Sequence, residues 1–377
     1  MAGLNRLLCV NAGSSSLKIR LLGPGSETLR VIDLPAQSGR ADPGAVRAAV
    51  AELGPVDAVA HRVVHGGRRF TGPTLLTDAV LGQLRLLAVL APLHQPPALA
   101  AITEVTAALP SVPAVACFDT AFHATVPDEA ATYAIPARWR TELGVRRYGF
   151  HGLAHQWAAR RAVEWCGPLR RVVVAHLGSG ASLCAVLDGH SVDTTMGFTP
   201  TAGLVMGTRC GDLDPAVPGW LVRHCDLDIG EVSDALDRES GLRGLTGSDD
   251  MRAVLAAEAD GDPDAALAVG VWLHRLRAGI AAMAASLGGL DALVFSGGIG
   301  ERATSLRWRT VQGLEFLGLR LDQEANERAS RDIGGLDAQI SAGPSGPRVL
   351  VVHAREELVM AEQARAVLAV IPQRETV

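Results

Sequence analysis

The chain has 377 residues, a formal charge of −5, and a composition that is 48% hydrophobic, 20% charged and 4% aromatic. That length predicts two or three domains, at roughly 150 residues each, with a core large enough to fold without disulfide or metal staples. The acidic balance and scarce aromatics exclude a broad nucleic-acid-binding face and a stacking platform for single strands, and the apolar content excludes a disordered chain.

Leu7–Val10 and Leu17–Leu22 read as short strands joined by Asn11-Ala-Gly-Ser-Ser-Ser16, a turn whose small residues let backbone N–H groups approach an anion. Val56–Val64 is a strand ending in His65-Gly66-Gly67. Asp78–Leu90 has helical spacing and stops before Pro92. Val112–Phe118 is a buried strand, Leu153–Glu164 a helix and Asp264–Leu287 a long Ala-rich helix. Ala292–Phe295 is a strand entering Ser296-Gly-Gly-Ile-Gly300, and Ser305–Leu314 is helical. Val349–His353 is the last strand and Arg355–Val370 the last helix. Strands alternating with helices predict an α/β fold. Leu7–Leu22 and Val172–Leu187 also superpose without a gap at an offset of 165, matching Gly13 with Gly178 and Ser14 with Ser179. Either this is one hairpin used twice, holding a phosphate chain from both sides, or it reflects how common Gly-Ser turns are in α/β proteins.

Cys9, Cys117, Cys166, Cys184, Cys210 and Cys225 form no C-x-x-C pair and no zinc-finger spacing with His. Three of them, Cys9, Cys117 and Cys184, lie in apolar runs where a thiol behaves as a small hydrophobe. That predicts a reducing compartment. The first residues are too briefly apolar for a signal peptide, and no run is long enough to span a bilayer. A cytoplasmic protein without membrane or nucleic-acid partners is therefore expected.

Of the 35 Lys and Arg residues only Lys18 is Lys. A Walker A loop needs Gly-Lys, whereas Leu17 precedes Lys18. A penicillin-binding set needs a second Lys in K-T-G. The same shortage, with no G-x-S-x-G elbow, weighs against a Ser-Lys acylase built on Ser15–Lys18. Four polar segments remain that a core does not need. Arg62 stands at a strand's C-terminal end, where α/β sites collect, and Asp119 follows another strand. Arg146-Arg-Tyr-Gly-Phe-His-Gly152 leads into a helix, and Met206-Gly-Thr-Arg-Cys-Gly-Asp212 sets Arg209 between glycines. Cations, a carboxylate and imidazoles are the inventory of phosphoryl transfer.

The chain resembles the acetate kinase (acetate/propionate kinase) family. The resemblance rests on Val10-Asn-Ala-Gly-Ser-Ser-Ser-Leu-Lys18, His61-Arg-Val-Val-His-Gly-Gly67, Ala91-Pro-Leu-His94, Phe118-Asp-Thr-Ala-Phe-His123 and Arg147-Tyr-Gly-Phe-His-Gly152. It continues in His176-Leu-Gly178, Met196-Gly-Phe-Thr-Pro200, Met206-Gly-Thr-Arg-Cys-Gly211 and Ser296-Gly-Gly-Ile-Gly-Glu301, so it runs from about residue 5 to 366. It implies a duplicated two-domain α/β fold of the actin-like ATPase type, with a nucleotide cleft between the domains. The domains expected are 1–122 with 356–377, and 123–355. The implied activity is reversible, magnesium- or manganese-dependent, in-line transfer of the γ-phosphoryl of ATP to acetate. A propionate or other short-chain acid kinase is the neighbouring reading, and a non-catalytic or chaperone-like ATPase the reading from another class. Homodimers are implied as well.

The resemblance also assigns residues. Asp119, His151, Arg209 and Arg62 are the implied catalytic set. Arg62, Val64, Leu93, His94, Phe150 and Pro200 are implied at the acid, and Asn11 and Glu356 at the metal, with Asn11 also in the first phosphate loop. For ATP the implied residues are Ser14, Ser16, Lys18, His176, Leu177, Gly178, Ser179, Gly180, Asp250, Met251, Arg252, Gly298, Ile299 and Arg302. The chain departs from the family pattern at Ser179 and Arg302, each standing for a usual Asn, at Gln95 for another Asn, and at Leu153-Ala154 for a Thr-Ser pair. Lys18 is either a point charge near phosphates or a strand-edge residue. Lys18→Arg separates them: a raised KM for ATP is expected of the first, and unchanged steady-state kinetics would leave the second.

Overall fold

A computed structural model describes residues 4–13, 16–37, 39–92, 94–331 and 337–370. The chain packs as two units, Met1–Ala124 with Arg355–Val377, and Thr125–Ala354.

The first unit is built on β1 (Leu7–Ala12), β2 (Ser16–Leu22), β3 (Thr28–Gln37), β4 (Arg40–Ala41), β5 (Ala58–Val63), β6 (Thr74–Leu75) and β7 (Ala114–Phe118), in the order β4-β3-β2-β1-β5-β7-β6. β2 is antiparallel to β1 and β3, whereas β1, β5 and β7 run parallel and β6 returns antiparallel to β7. The parallel trio brings Asn11, Arg62 and Asp119 to one end of the sheet, the end where such sheets place their ligands. Helices Pro43–Glu52 and Gln95–Ala108 cover one face over Leu8, Val10, Ile19 and Val59. Helix Glu356–Ala369 also packs against β1, β5 and β7.

The second unit is built on β8 (Arg171–Leu177), β9 (Ala181–Leu187), β10 (His190–Thr194), β11 (Ala292–Ser296), β12 (Ala338–Gln339) and β13 (Arg348–Val351), in the order β10-β9-β8-β11-β13-β12. β9 is antiparallel to β8 and β10; β8, β11 and β13 are parallel, and β12 is antiparallel to β13. Setting β4 aside, strand order and strand sense repeat those of the first unit. The internal echo is thus a duplicated topology, but its ungapped match slips by one residue. Leu7 pairs with Leu22, while Val172 pairs with Val186, because the second turn is a residue shorter.

Several expectations change. The helix expected over Asp78–Leu90 is α-helical to Leu86 and tightens to a 3₁₀ turn over Leu87–Leu90. The Ser296–Gly300 segment, given no element from sequence, enters a helix over Gly297–Arg302. Helices Pro43–Glu52 and Gln95–Ala108 were not expected; prolines in their first turns, where a missing N–H costs nothing, read in sequence as breakers. Asp42 caps the first of these by accepting the Ala45 N–H. Cys9, Cys117 and Cys184 are buried, and burial pushes their thiols up, so they pack as protonated side chains. Among the described residues no helix is long and apolar enough to cross a membrane.

Gly297 has φ +77°, and a Cβ there would stand 2.8 Å from the Leu177 carbonyl oxygen. Gly297→Ala should therefore destabilise by about 1–3 kcal/mol, at about 2–4 °C of Tm per kcal/mol for a body of this size. Gly298→Ala, whose Cβ meets nothing within 4 Å, is the control in the same thermal melts. Equal melting of the two variants would remove the strain.

Candidate active site

In the first unit four of the expected residues form one bonded network. Arg62 lies on β5 with its side chain 15% exposed and the Asp119 carboxylate 1% exposed. The guanidinium grips Asp119 with both Nη2 and Nε, and its Nη1 donates to Asn11 Oδ1 at 3.2 Å. Glu356 Oε2 accepts from Asn11 Nδ2 at 2.9 Å and stands 3.7 Å from Arg62 Nε. Asp119 leaves β7 with its N–H bonded to Val63 O, so neighbouring strands fix both partners. Burial pushes the Asp119 carboxyl up to about 6; Arg62 opposes this and Glu356 adds to it. Burial opposes the charge on Arg62, yet Asp119 and Glu356 hold its pKa above the ordinary value.

With both carboxylates ionised, one guanidinium faces two negative groups. A local excess of negative charge with oxygen donors fits a hard divalent cation. Magnesium characteristically takes one or two carboxylates and completes its shell with water and phosphate. Among the described residues no group of three or more His, Cys, Asp or Glu is placed to hold a metal by itself. Asn11, Asp119 and Glu356 are the residues that would share one.

Val64 is buried just beyond Arg62. The next residue, His65, is clamped by Gln95, whose amide accepts from the His65 N–H and donates to its carbonyl, both at 3.1 Å. The departure at Gln95 thus has a structural role in holding the end of β5. His94 precedes the helix Gln95–Ala108, and its N–H donates to Ala91 O. Lys18 is exposed on β2 opposite Asn11, and Ser16 O accepts the Gly13 N–H. Ser14 and Leu93 lie outside the described residues.

In the second unit the turn Gly178–Gly180 is the organising element. Its Gly178 N–H donates to Gly180 O, and its Ser179 O accepts from Gly207, in the loop that carries Arg209. A Cβ on Gly180 would lie 3.4 Å from His151 Cε1 and Nε2 and 3.5 Å from Arg209 Nη1, so the imidazole and the guanidinium converge there. Arg209 Nη1 also donates to Pro200 O at 3.2 Å. Burial lowers the Arg209 pKa, opposed by Asp237. Phe150 is buried beside His151, which stands at φ +58° just before the helix Gly152–Cys166.

Gly178 and Ser179 of this turn also line a cavity of about 810 Å³. Gly178, Ser179, Asp250, Met251, Arg252, Gly298, Ile299 and Arg302 all line it. Asp250 is bonded to the backbone N–H and guanidinium of Arg252, at the start of helix Met251–Ala259. Gly180, His176 and Leu177, the other nucleotide residues expected in this unit, do not line the cavity. Leu177 is buried beneath the helix Gly297–Arg302, and His176 packs its ring 4.9 Å from that of His151. Both belong to β8 rather than to the turn that follows it.

Sequence reasoning missed Asp249, Thr304 and Ser305, which also line the cavity and adjoin residues it did find. It missed Glu301, which accepts from Gly297 N at 3.0 Å and from His353 Nδ1 at 2.8 Å and so pins the cavity's helix. It also missed Ser182, fully buried between His151 and His155. The one available signal for Ser182 was a hydroxyl inside an otherwise apolar strand.

The family model described as the acetokinase family matches residues 45–362. The chain belongs to the acetokinase family. It is 42% identical over 392 residues to an acetate kinase of Deinococcus radiodurans, covering 96% of this chain and 98% of that protein. It is 45% identical over 399 residues to an acetate kinase of Leifsonia xyli, covering 97% and 100%. Among solved structures, acetate kinase of Porphyromonas gingivalis matches with a TM-score of 0.87 and 33% identity over 97% of this chain and 100% of that one. A propionate kinase from Francisella tularensis matches with the same TM-score and identity over 96% and 99%. The two sheets of repeated order are the actin-like ATPase fold of this family.

Burial makes the Asp119 carboxyl harder to ionise in the folded protein. Its folded value of about 6 exceeds the ordinary 3.8, so the folded state holds this proton more tightly than the unfolded chain does. Ionising it costs stability as pH rises between those values, and the cost is constant above about 6. Asp119→Asn removes that dependence. The Tm difference, variant minus wild type, should climb from pH 4 to 6 and then level off. A flat difference would contradict the raised value.

Proposed function

We infer that the protein transfers the γ-phosphoryl group of ATP to acetate, giving acetyl phosphate and ADP, and catalyses the reverse transfer. Relatives called acetate kinases along nearly the whole chain support this. The observation that carries it is the turn Gly178–Gly180, whose Gly178 and Ser179 line the 810 Å³ cavity while His151 and Arg209 converge at its Gly180. A nucleotide held in that cavity brings its phosphates to the turn, where Arg209 beside Gly180 supplies positive charge.

The acetate carboxylate is the nucleophile. One of its oxygens attacks the γ-phosphorus as the bond to the β-γ bridging oxygen breaks, and that electron pair leaves with ADP. Charge moves over the equatorial oxygens, so catalysis is positioning and fixed positive charge. Arg209 and His151 are assigned to those oxygens. Arg62 is assigned to the acetate and phosphoryl oxygens, since a planar guanidinium meets oxygen pairs in two-point fashion. Its clamp by Asp119 and Asn11 pre-sets that plane. Asp119, Glu356 and Asn11 are assigned to a divalent cation, magnesium or manganese, which when bound supplies charge neutralisation to the phosphates. Val64, Phe150 and Pro200 are assigned to the acetate methyl. The Francisella relative keeps propionate as a second reading of the acid, because one methylene is discriminated by only ~1–3 kcal/mol in an apolar pocket.

ATP turnover with and without acetate in hydroxylamine, which traps an acyl phosphate as its hydroxamate, tests this. Hydroxamate that depends on acetate is the expected result; ATP hydrolysis indifferent to acetate would point to a chaperone-like ATPase. Arg62→Ala and Arg209→Ala should each lower kcat/KM by about 10² or more, the scale of one preorganised donor to developing charge. Wild-type activity in either variant would take that arginine out of the reaction.

A further inference from the structure

Ser182 is 0% exposed and sits on β9 directly across from His176 in the β8 register. Its Oγ lies 3.0 Å from His151 Nδ1 and 2.7 Å from His155 Nε2. His151 and His155 are one helical turn apart, so their rings lean toward the same strand. The opposite edge of the His151 ring, Nε2 and Cε1, is the edge that faces Gly180 beside Arg209. The hydroxyl is thus the hinge of a three-member chain whose far end is the ring atom in the candidate active site.

A serine hydroxyl has one proton to give. Bonded to two imidazole nitrogens, it donates to one and accepts from the other, so the chain has a direction. If Ser182 donates to His151 Nδ1, His155 Nε2–H donates to Ser182, and neutral His151 carries its proton on Nε2, facing Gly180. If the direction reverses, Nε2 offers a lone pair, which would repel phosphoryl oxygens. The strained φ of His151 adds to the constraint: the backbone holds the ring where the hydroxyl can reach it.

We propose that Ser182 is a positioning residue that, backed by His155, fixes His151 as the Nε2–H tautomer and aims that donor past Gly180. The catalytic consequence rests on the phosphoryl-transfer reading above; the tautomer itself does not.

The test is nitrogen NMR of the 15N-histidine-labelled full chain, with His151 assigned by the signals lost in His151→Asn. The expected result is a protonated Nε2 and an unprotonated Nδ1 at neutral ring charge. Ser182→Ala should mix the tautomers and lower kcat by about tenfold to a hundredfold, the range for losing a partner that orients a working imidazole, with both KM values within about threefold. Ser182→Thr, which keeps the hydroxyl, should restore the tautomer and most of kcat. A wild-type His151 protonated on Nδ1 overturns the proposal without any variant. So does a folded Ser182→Ala enzyme with unchanged tautomer or with kcat within about twofold of wild type. If the wild type forms no hydroxamate, the acetate reading has failed while the NMR result still stands.

Discussion

Taking the Arg62 guanidinium and the Asp119 carboxylate out of water together is the constraint around which the first unit is arranged. Neither charge is tolerable there alone, since a buried unpaired ion is strongly destabilising. Asp119 is therefore anchored by backbone at the end of β7, Arg62 by its place on β5, and Asn11 by its place on β1. The helix Glu356–Ala369 contributes Glu356 as the fourth member. Arg62 has spare N–H capacity in a fixed plane, which is what recognition of an oxygen pair requires.

The second unit meets a different requirement, close approach rather than charge pairing. At Gly180 a methyl group would already stand in van der Waals contact with His151 and Arg209. Its neighbours Gly178 and Ser179 form part of the cavity wall. One short turn therefore adjoins both the cavity and the meeting point of His151 and Arg209. The bond from Gly207 to Ser179 O carries the position of the turn into the loop bearing Arg209, so a shift in one is felt in the other.

Central strands were legible because β1, β5, β7, β8 and β11 are apolar runs ending in small or polar residues, and burial on both faces leaves that signature. The strand β3, inside only the two-residue edge strand β4, was not, since Thr28–Gln37 is mostly exposed and its pairing is decided by β2. Helices opening on Pro43 or on Pro96-Pro97 were hidden by residues that signal both a break and a start. At the site, charged groups announced themselves through composition, as Arg62, Asp119 and Arg209 did. Ser182 did not, because its importance lies in two imidazoles brought together by the fold, and nothing local to Ala181–Leu187 encodes them. His176 and Leu177, placed at the nucleotide by resemblance, close β8 just before the turn Gly178–Gly180.

The helix Glu356–Ala369 belongs to the unit whose strands lie at the other end of the chain. A ribosome therefore releases β1 to β7 first, then all of Thr125–Ala354, and only afterwards the helix that packs on β1, β5 and β7. Throughout that interval the nascent sheet lacks this covering helix, and Arg62 waits without Glu356. The second unit has every one of its strands in hand before that helix emerges, so it can consolidate as a body. The part of the protein made first is finished last, and shielding of that exposed sheet during synthesis depends on whatever else holds it until the final helix arrives.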